Sequence, residues 1–121
     1  MTPQQIVEAF IAAWNRMDIP AALAMMRDDA VWENVPIGPA RGMAEIQAAM
    51  AQFPAVDGID FVTHHIAVNG NVVLTERTDR FLIGGRWRDL RVMGTFEIDG
   101  AGRIAHWRDY FDMAEMQREF A

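Results

Sequence analysis

The chain has 121 residues, 51% of them hydrophobic, which suits one folded domain and leaves no disordered or low-complexity tract. Its 17 acidic residues outweigh 11 basic ones, all of them arginine, and the formal net charge of −6 without a basic run argues against nucleic acid as a partner. There are no cysteines, so disulfides, thiolate metal sites and a cysteine nucleophile are excluded.

No window approaches the ~18 uninterrupted apolar residues of a membrane span. The opening Met1-Thr2-Pro3-Gln4-Gln5 lacks the basic and then apolar pattern of a secretory leader. The expectation is a cytoplasmic protein with no membrane partner.

The first fifty residues read as mostly helical. Thr2 is placed as an N-cap, Pro3 stands at the first helical position, and Gln5 completes a capping box. Ile6, Val7, Phe10, Ile11, Trp14 and Met17 recur at helical spacing, so a first helix is expected to about Met17. Asp18 is expected to cap a short second helix through Ala21 and Met26. An extended piece follows from Ala30 to Val35, and Pro36, Gly38 and Pro39 break it. Gly42 to Met50 reads as a third helix.

The second half reads as an antiparallel meander. Strands are expected from Ile59 to Val68, Val72 to Ile83, Trp87 to Ile98 and Arg103 to Phe111. Asn69-Gly70, Gly84-Gly85 and Asp99-Gly100-Ala101-Gly102 supply the turns between them. Asp112 is expected to cap a last helix ending near Phe120. Helices first, then a meander, then a closing helix make an α+β pattern. The expected architecture is one domain over residues 1–121: a curved, mostly antiparallel, mixed sheet wrapped by about four helices. It should be cone-shaped, with a deep apolar pocket.

Strand parity sorts the side chains onto faces. Val73, Thr75, Arg77, Asp79 and Phe81 share one face of their strand. Ala105, Trp107, Asp109 and Phe111 share one face of theirs. If these faces meet, one arginine and two aspartates lie among large apolar side chains. An ionised carboxylate there must be paired or protonated. The Arg77 fork can bond both acids, and two aspartates sharing one arginine leave about one proton between them. Such a pair can give a proton at one atom while taking one at another. A structural ion triad in a core or interface would show the same parity, which does not separate the two.

The residues Thr75-Glu76-Arg77-Thr78-Asp79, followed by Trp107-Arg108-Asp109-Tyr110-Phe111-Asp112, closely resemble the limonene-1,2-epoxide hydrolase family. Leu90-Arg91-Val92-Met93-Gly94-Thr95-Phe96 resembles that family's central strand, and the element order agrees across nearly the whole chain. The wider superfamily includes SnoaL-like cyclases and ketosteroid isomerase. The resemblance implies hydrolysis of a small lipophilic epoxide to a vicinal diol by one-step attack of water. In that role Asp79 is the acid that protonates the epoxide oxygen, Arg77 bridges both acids, and Asp109 is the base toward water. Asn34 helps to hold that water. No cofactor, no metal and no covalent intermediate are implied, and a homodimer through the exposed sheet face is.

One position departs from the resemblance. Family members acting on limonene oxide carry a tyrosine two residues before the asparagine, and this chain has Trp32. An indole only donates, whereas a phenol also accepts. Trp32 either holds the water through its N–H or is ordinary core packing. By parity or helical phase, Ile11, Trp14, Phe81, Leu90, Val92, Phe111 and Met116 are expected to form the apolar wall of the pocket. His64 and His65, being adjacent on a strand, are expected on opposite faces. The alternative function is that of a cyclase or isomerase of the same superfamily, working by proton transfer next to a carbonyl.

Overall fold

The computed structural model of the chain describes residues 1–121. Its elements follow in the order α1 (Pro3–Asn15), α2 (Ile19–Ala24), β1 (Met26–Asn34), β2 (Gly38–Arg41), α3 (Gly42–Met50), β3 (Gly58–Asn69), β4 (Val72–Ile83), β5 (Arg86–Ile98), β6 (Ile104–Tyr110) and α4 (Met113–Glu119). The expected meander is present as β3 to β6. The strands form one sheet in the order β2-β1-β6-β5-β4-β3. β1 runs parallel to β6, and every other pairing is antiparallel. That single parallel pairing sets Trp32 beside Trp107 and Asn34 beside Asp109.

Local chemistry accounts for the helix ends. The capping box forms at α1: Gln5 N donates to Thr2 Oγ1 at 3.2 Å, and Thr2 N donates to Gln5 Oε1 at 2.9 Å. α1 stops at Asn15, short of the expected Met17, although the apolar period continues. Met17 adopts a left-handed conformation with φ 57°. Its N–H bonds Trp14 O, and the Asp18 N–H bonds Ala13 O, both at 2.9 Å. This paired closure satisfies the last carbonyls and ends the helix whatever the periodicity.

Pro36, Gly38 and Pro39 do more than break a strand. The chain reverses and returns as the short edge strand β2, with Pro39 opposite Glu33. An edge strand tolerates proline because one side of it needs no donor.

Helices cover one face of the sheet. α1 packs on β3 and β4, α3 on β1 and β2, and α4 on β5. Beneath them lies a cluster of 19 buried residues, with Val7, Phe10, Ile46, Val73, Phe96 and Ile104 among the most deeply buried. The opposite face carries no helix. There Val62, Leu74, Met93 and Tyr110 are exposed, beside an ionic group of Glu33, Glu97, His106 and Arg108.

The two adjacent histidines do not alternate as expected. A bulge separates the pair Thr63 and Arg77 from the pair His65 and Glu76, with His64 the extra residue. The bulge resets the parity. His65 lies opposite Glu76 on the outer face, and the His64 ring reaches Thr78 Oγ1 on that face at 2.8 Å.

β3 is an edge strand whose unpaired side is held by α1. Phe61 N donates to Asn15 Oδ1 at 2.7 Å, and Asn15 Nδ2 donates to Phe61 O at 3.3 Å. Asn15→Ala leaves both backbone groups without this partner. It is expected to lower the unfolding free energy by about 1–3 kcal/mol, read from urea denaturation. An unchanged urea midpoint would show that the clip adds nothing.

Candidate active site

The site is assembled by register. Thr75 on β4 lies beside Gly94 on β5, Gly94 beside Asp109 on β6, and Asp109 beside Asn34 on β1. This row crosses four strands on the helix-covered face. Arg77 and Asp79 follow Thr75 at alternate positions, so they point the same way.

Arg77 lies across the row. Its Nε donates to Asp79 Oδ1 at 2.9 Å and its Nη2 to Asp79 Oδ2 at 2.9 Å. The same Nη2 donates to Asp109 Oδ2 at 3.0 Å, and Nη1 donates to Thr75 Oγ1 at 2.8 Å. Thr75 Oγ1 in turn donates to Gly94 O at 3.2 Å. The other oxygen of Asp109 accepts from Trp107 Nε1 at 2.9 Å. Arg77, Asp79 and Asp109 are only 1%, 4% and 5% exposed, so water screens none of these charges.

Gly94 makes the arrangement possible. A Cβ at this position would lie within 2.5 Å of Asp109 Oδ1 and would overlap Arg77 Nη1 outright. The absence of a side chain is what lets the guanidinium cross β5.

Two carboxylates around one guanidinium leave one net negative charge, which one proton neutralises. Burial is the main cause that pushes the Asp109 carboxyl up to about 6. The Arg77 charge pulls it down, Asp79 pushes it up again, and the bonds from Arg77 and Trp107 pull it down. Burial also works against the charge of Arg77. The nearby Asp109 and Asp79 outweigh it, so the guanidinium holds its proton more firmly than usual. The charges of Arg77 and Asp79 thus act on Asp109 in opposite directions.

A cavity of about 260 Å³ opens onto the acids. Asp79, Asp109 and Asn34 are its only polar side chains apart from three tryptophans, Trp14, Trp32 and Trp107. Of the expected wall, Trp14, Phe81, Leu90, Val92, Phe111 and Met116 line it. Ile11 does not: it belongs to the core cluster on α1 and is absent from the lining. Helical phase shows which side of α1 is buried, and that side is wider than the part facing the cavity. Arg77 does not line the cavity either, so it acts through the acids in front of it. Trp32 does, but its buried indole N–H, like that of Trp14, meets no acceptor in the protein.

Sequence reasoning missed Thr75, Gly94 and Trp107 as parts of the site. Thr75 and Trp107 stand two residues from Arg77 and Asp109 on the same faces, so parity already placed them there. A glycine inside a strand often marks close approach of another group, and Gly94 carried that signal.

The raised Asp109 carboxyl has a stability consequence. An ordinary aspartate takes up its proton near pH 4. A folded value of about 6 means that the native state binds the proton more tightly. This contribution is present below about pH 4 and is lost as pH rises through about 6. The stability of the wild type relative to Asp109→Asn should therefore be greater at pH 4.5 than at pH 8, as measured by chemical denaturation. The reverse order would contradict the burial argument.

Known proteins resemble this chain in sequence and in fold. The family model of the limonene-1,2-epoxide hydrolase catalytic domain matches residues 1–121. The epoxide hydrolase EphG of Mycobacterium tuberculosis is 39% identical over 110 residues, covering 91% of this chain and 73% of the relative. The solved structure of an M. tuberculosis LEH-like epoxide hydrolase superposes with a TM-score of 0.81 at 37% identity, covering 95% of this chain and 86% of that one. A candidate polyketide cyclase of Pseudomonas putida shares the fold at a TM-score of 0.84 and 23% identity, over 98% of each chain. The chain belongs to the limonene-1,2-epoxide hydrolase family.

Proposed function

We propose that this protein hydrolyses a small lipophilic epoxide to a vicinal diol in one step, with water as the nucleophile and no cofactor. The observation that carries this reading is Arg77 bonded to both Asp79 and Asp109 at the edge of an apolar cavity.

In this mechanism the one proton of the site stands on Asp79 once substrate is bound, and Asp79 gives it to the epoxide oxygen as the C–O bond breaks. Asp109 takes a proton from the water whose oxygen forms the new C–O bond. Asn34, beside Asp109 in the sheet, orients that water, and Trp32 walls the same space. The Arg77 fork stabilises the carboxylate that appears on Asp79, and burial favours the proton that arrives on Asp109. Both effects act on the charge distribution at the end of the step. Transition-state stabilisation has to come from interactions of that kind. The cyclase or isomerase alternative needs one acid–base group and an oxyanion donor, and it leaves the arginine between two acids without a task.

Asp79→Asn and Asp109→Asn should each lower diol formation on the order of 10²–10⁴-fold while the fold persists. The double variant should be little worse than either single one, because the acids act as one unit. Single turnover in ¹⁸O-water with enzyme in excess should label the first diol and neither aspartate. Label on Asp79 or Asp109 would mean a covalent ester and a wrong role for that residue. Gly94→Ala should lower turnover by roughly 10²-fold, since a displacement near 1 Å at a positioning group has that effect. Near-normal turnover of Gly94→Ala would remove Arg77 placement from the mechanism.

The pair needs its one proton to act as an acid. Asp109 is pushed up to about 6, and above that pH the site loses its one proton there, so kcat/KM should fall as pH rises past this value. An apolar substrate displaces water and pushes the value higher, so the fall in kcat should come at higher pH than the fall in kcat/KM. A pH–rate profile that rises through the same range would refute the assignment.

A further inference from the structure

Eight of the twenty residues lining the cavity are aromatic, and seven of these form a continuous belt of ring-to-ring contacts. Phe53 meets Trp32 at 5.9 Å between centroids, and Trp32 meets Trp107 at 5.6 Å. Trp107 meets Trp14 at 5.8 Å, and Trp14 meets Phe61 at 6.5 Å. Phe61 then meets Phe81, and Phe81 meets Phe120, each at 5.6 Å. The belt runs from the segment after α3, through β1, β6, α1, β3 and β4, to the segment after α4. It therefore draws on almost every layer of the fold.

Packing alone does not call for this composition, because aliphatic side chains fill cores as well. The belt also leaves the carboxylates and the Asn34 amide as the main polar groups at the cavity. We propose that the substrate is an aryl-substituted epoxide, with its flat ring held in the belt and the oxirane as its one polar group. The proposal rests on the epoxide hydrolase reading above and narrows its substrate class.

Two physical effects favour the arene over a saturated ring. Stacked and edge-to-face contacts add to what area burial gives, and only an aromatic ligand collects that addition. Opening a protonated epoxide also builds positive charge on the attacked carbon, which a benzylic position accepts and nearby ring faces stabilise. Trp107 belongs to the belt and also bonds Asp109, so the belt reaches the site of water attack. The step balances as follows. The Asp79 proton goes to the oxirane oxygen, and the benzylic C–O bond breaks with its electron pair on that oxygen. The water oxygen bonds the benzylic carbon, and the water proton goes to Asp109. The product is a 1-aryl-1,2-diol.

Styrene oxide and cyclohexyloxirane, which differ in the ring alone, test this as substrates. Benzylic reactivity is separated from recognition by product inhibition, comparing 1-phenyl-1,2-ethanediol with 1-cyclohexyl-1,2-ethanediol. The phenyl diol is expected to inhibit roughly threefold to tenfold more strongly. Phe81→Leu, which removes the ring joining Phe61 to Phe120, should bring that ratio close to one. Phe120→Leu, at the end of the belt and outside the core cluster, should lower it in the same direction if Phe81→Leu fails to fold. Turnover of styrene oxide in ¹⁸O-water should place the label at the benzylic carbon. Equal inhibition by the two diols, with both epoxides hydrolysed, overturns the aryl assignment and leaves epoxide hydrolysis standing. A ratio that neither substitution moves overturns it as well. If neither these two epoxides nor an alicyclic terpene oxide gives diol, the underlying reaction falls too.

Discussion

A guanidinium that is 1% exposed, held between two aspartates, is the constraint on which the rest of this structure depends. Desolvation penalises all three charges, and each has to recover what it loses from the others. Arg77 meets this demand with bonds to Asp79, Asp109 and Thr75, and Trp107 supplies a further donor to Asp109. The group is coupled in the sense that removing one charge strands another. The arrangement also requires β4, β5 and β6 in one register, because Gly94 has to lie between Thr75 and Asp109.

The aromatic side chains serve the fold and the site together. Trp107 stacks on Phe96 at 5.9 Å, packs edge-on with Phe10 at 5.0 Å, and holds Asp109 through its N–H. Rigid rings on one side and hydrogen bonds on the other keep the Asp109 carboxyl in a narrow range of positions. Side chains locked by packing and hydrogen bonds in this way keep a constellation in place. The cavity thus borders the core, and Trp14, Trp32, Ile59, Phe61 and Trp107 belong to both.

The fold itself is shared with proteins of other description at identities near 23%. A sheet with helices on one face and an apolar cavity between them does not specify a reaction. A reaction has to be read from side chains, here those of β4 and β6 that face the cavity. The chain is 37–39% identical to epoxide hydrolases.

By itself the sequence determined the element order apart from the edge strand β2, and the composition of the site's faces. Period-two alternation placed Thr75, Arg77 and Asp79 together, and it placed Trp107 with Asp109, because a pleated strand has no other way to dispose alternate residues. Glycine and asparagine turns fixed the meander for equally local reasons. Tertiary structure decided the rest. The parallel pairing of β1 with β6 joins segments more than seventy residues apart, and no local signal announces it. The bulge at His64 shifts a strand by one residue and overrides parity from that point. The left-handed turn at Met17 ended α1 against its own apolar period. Ile11 and Trp14 lie on the same helix and are both buried, yet only Trp14 reaches the cavity. Which part of a buried helix face meets other side chains and which meets open space is set by the elements packed around it.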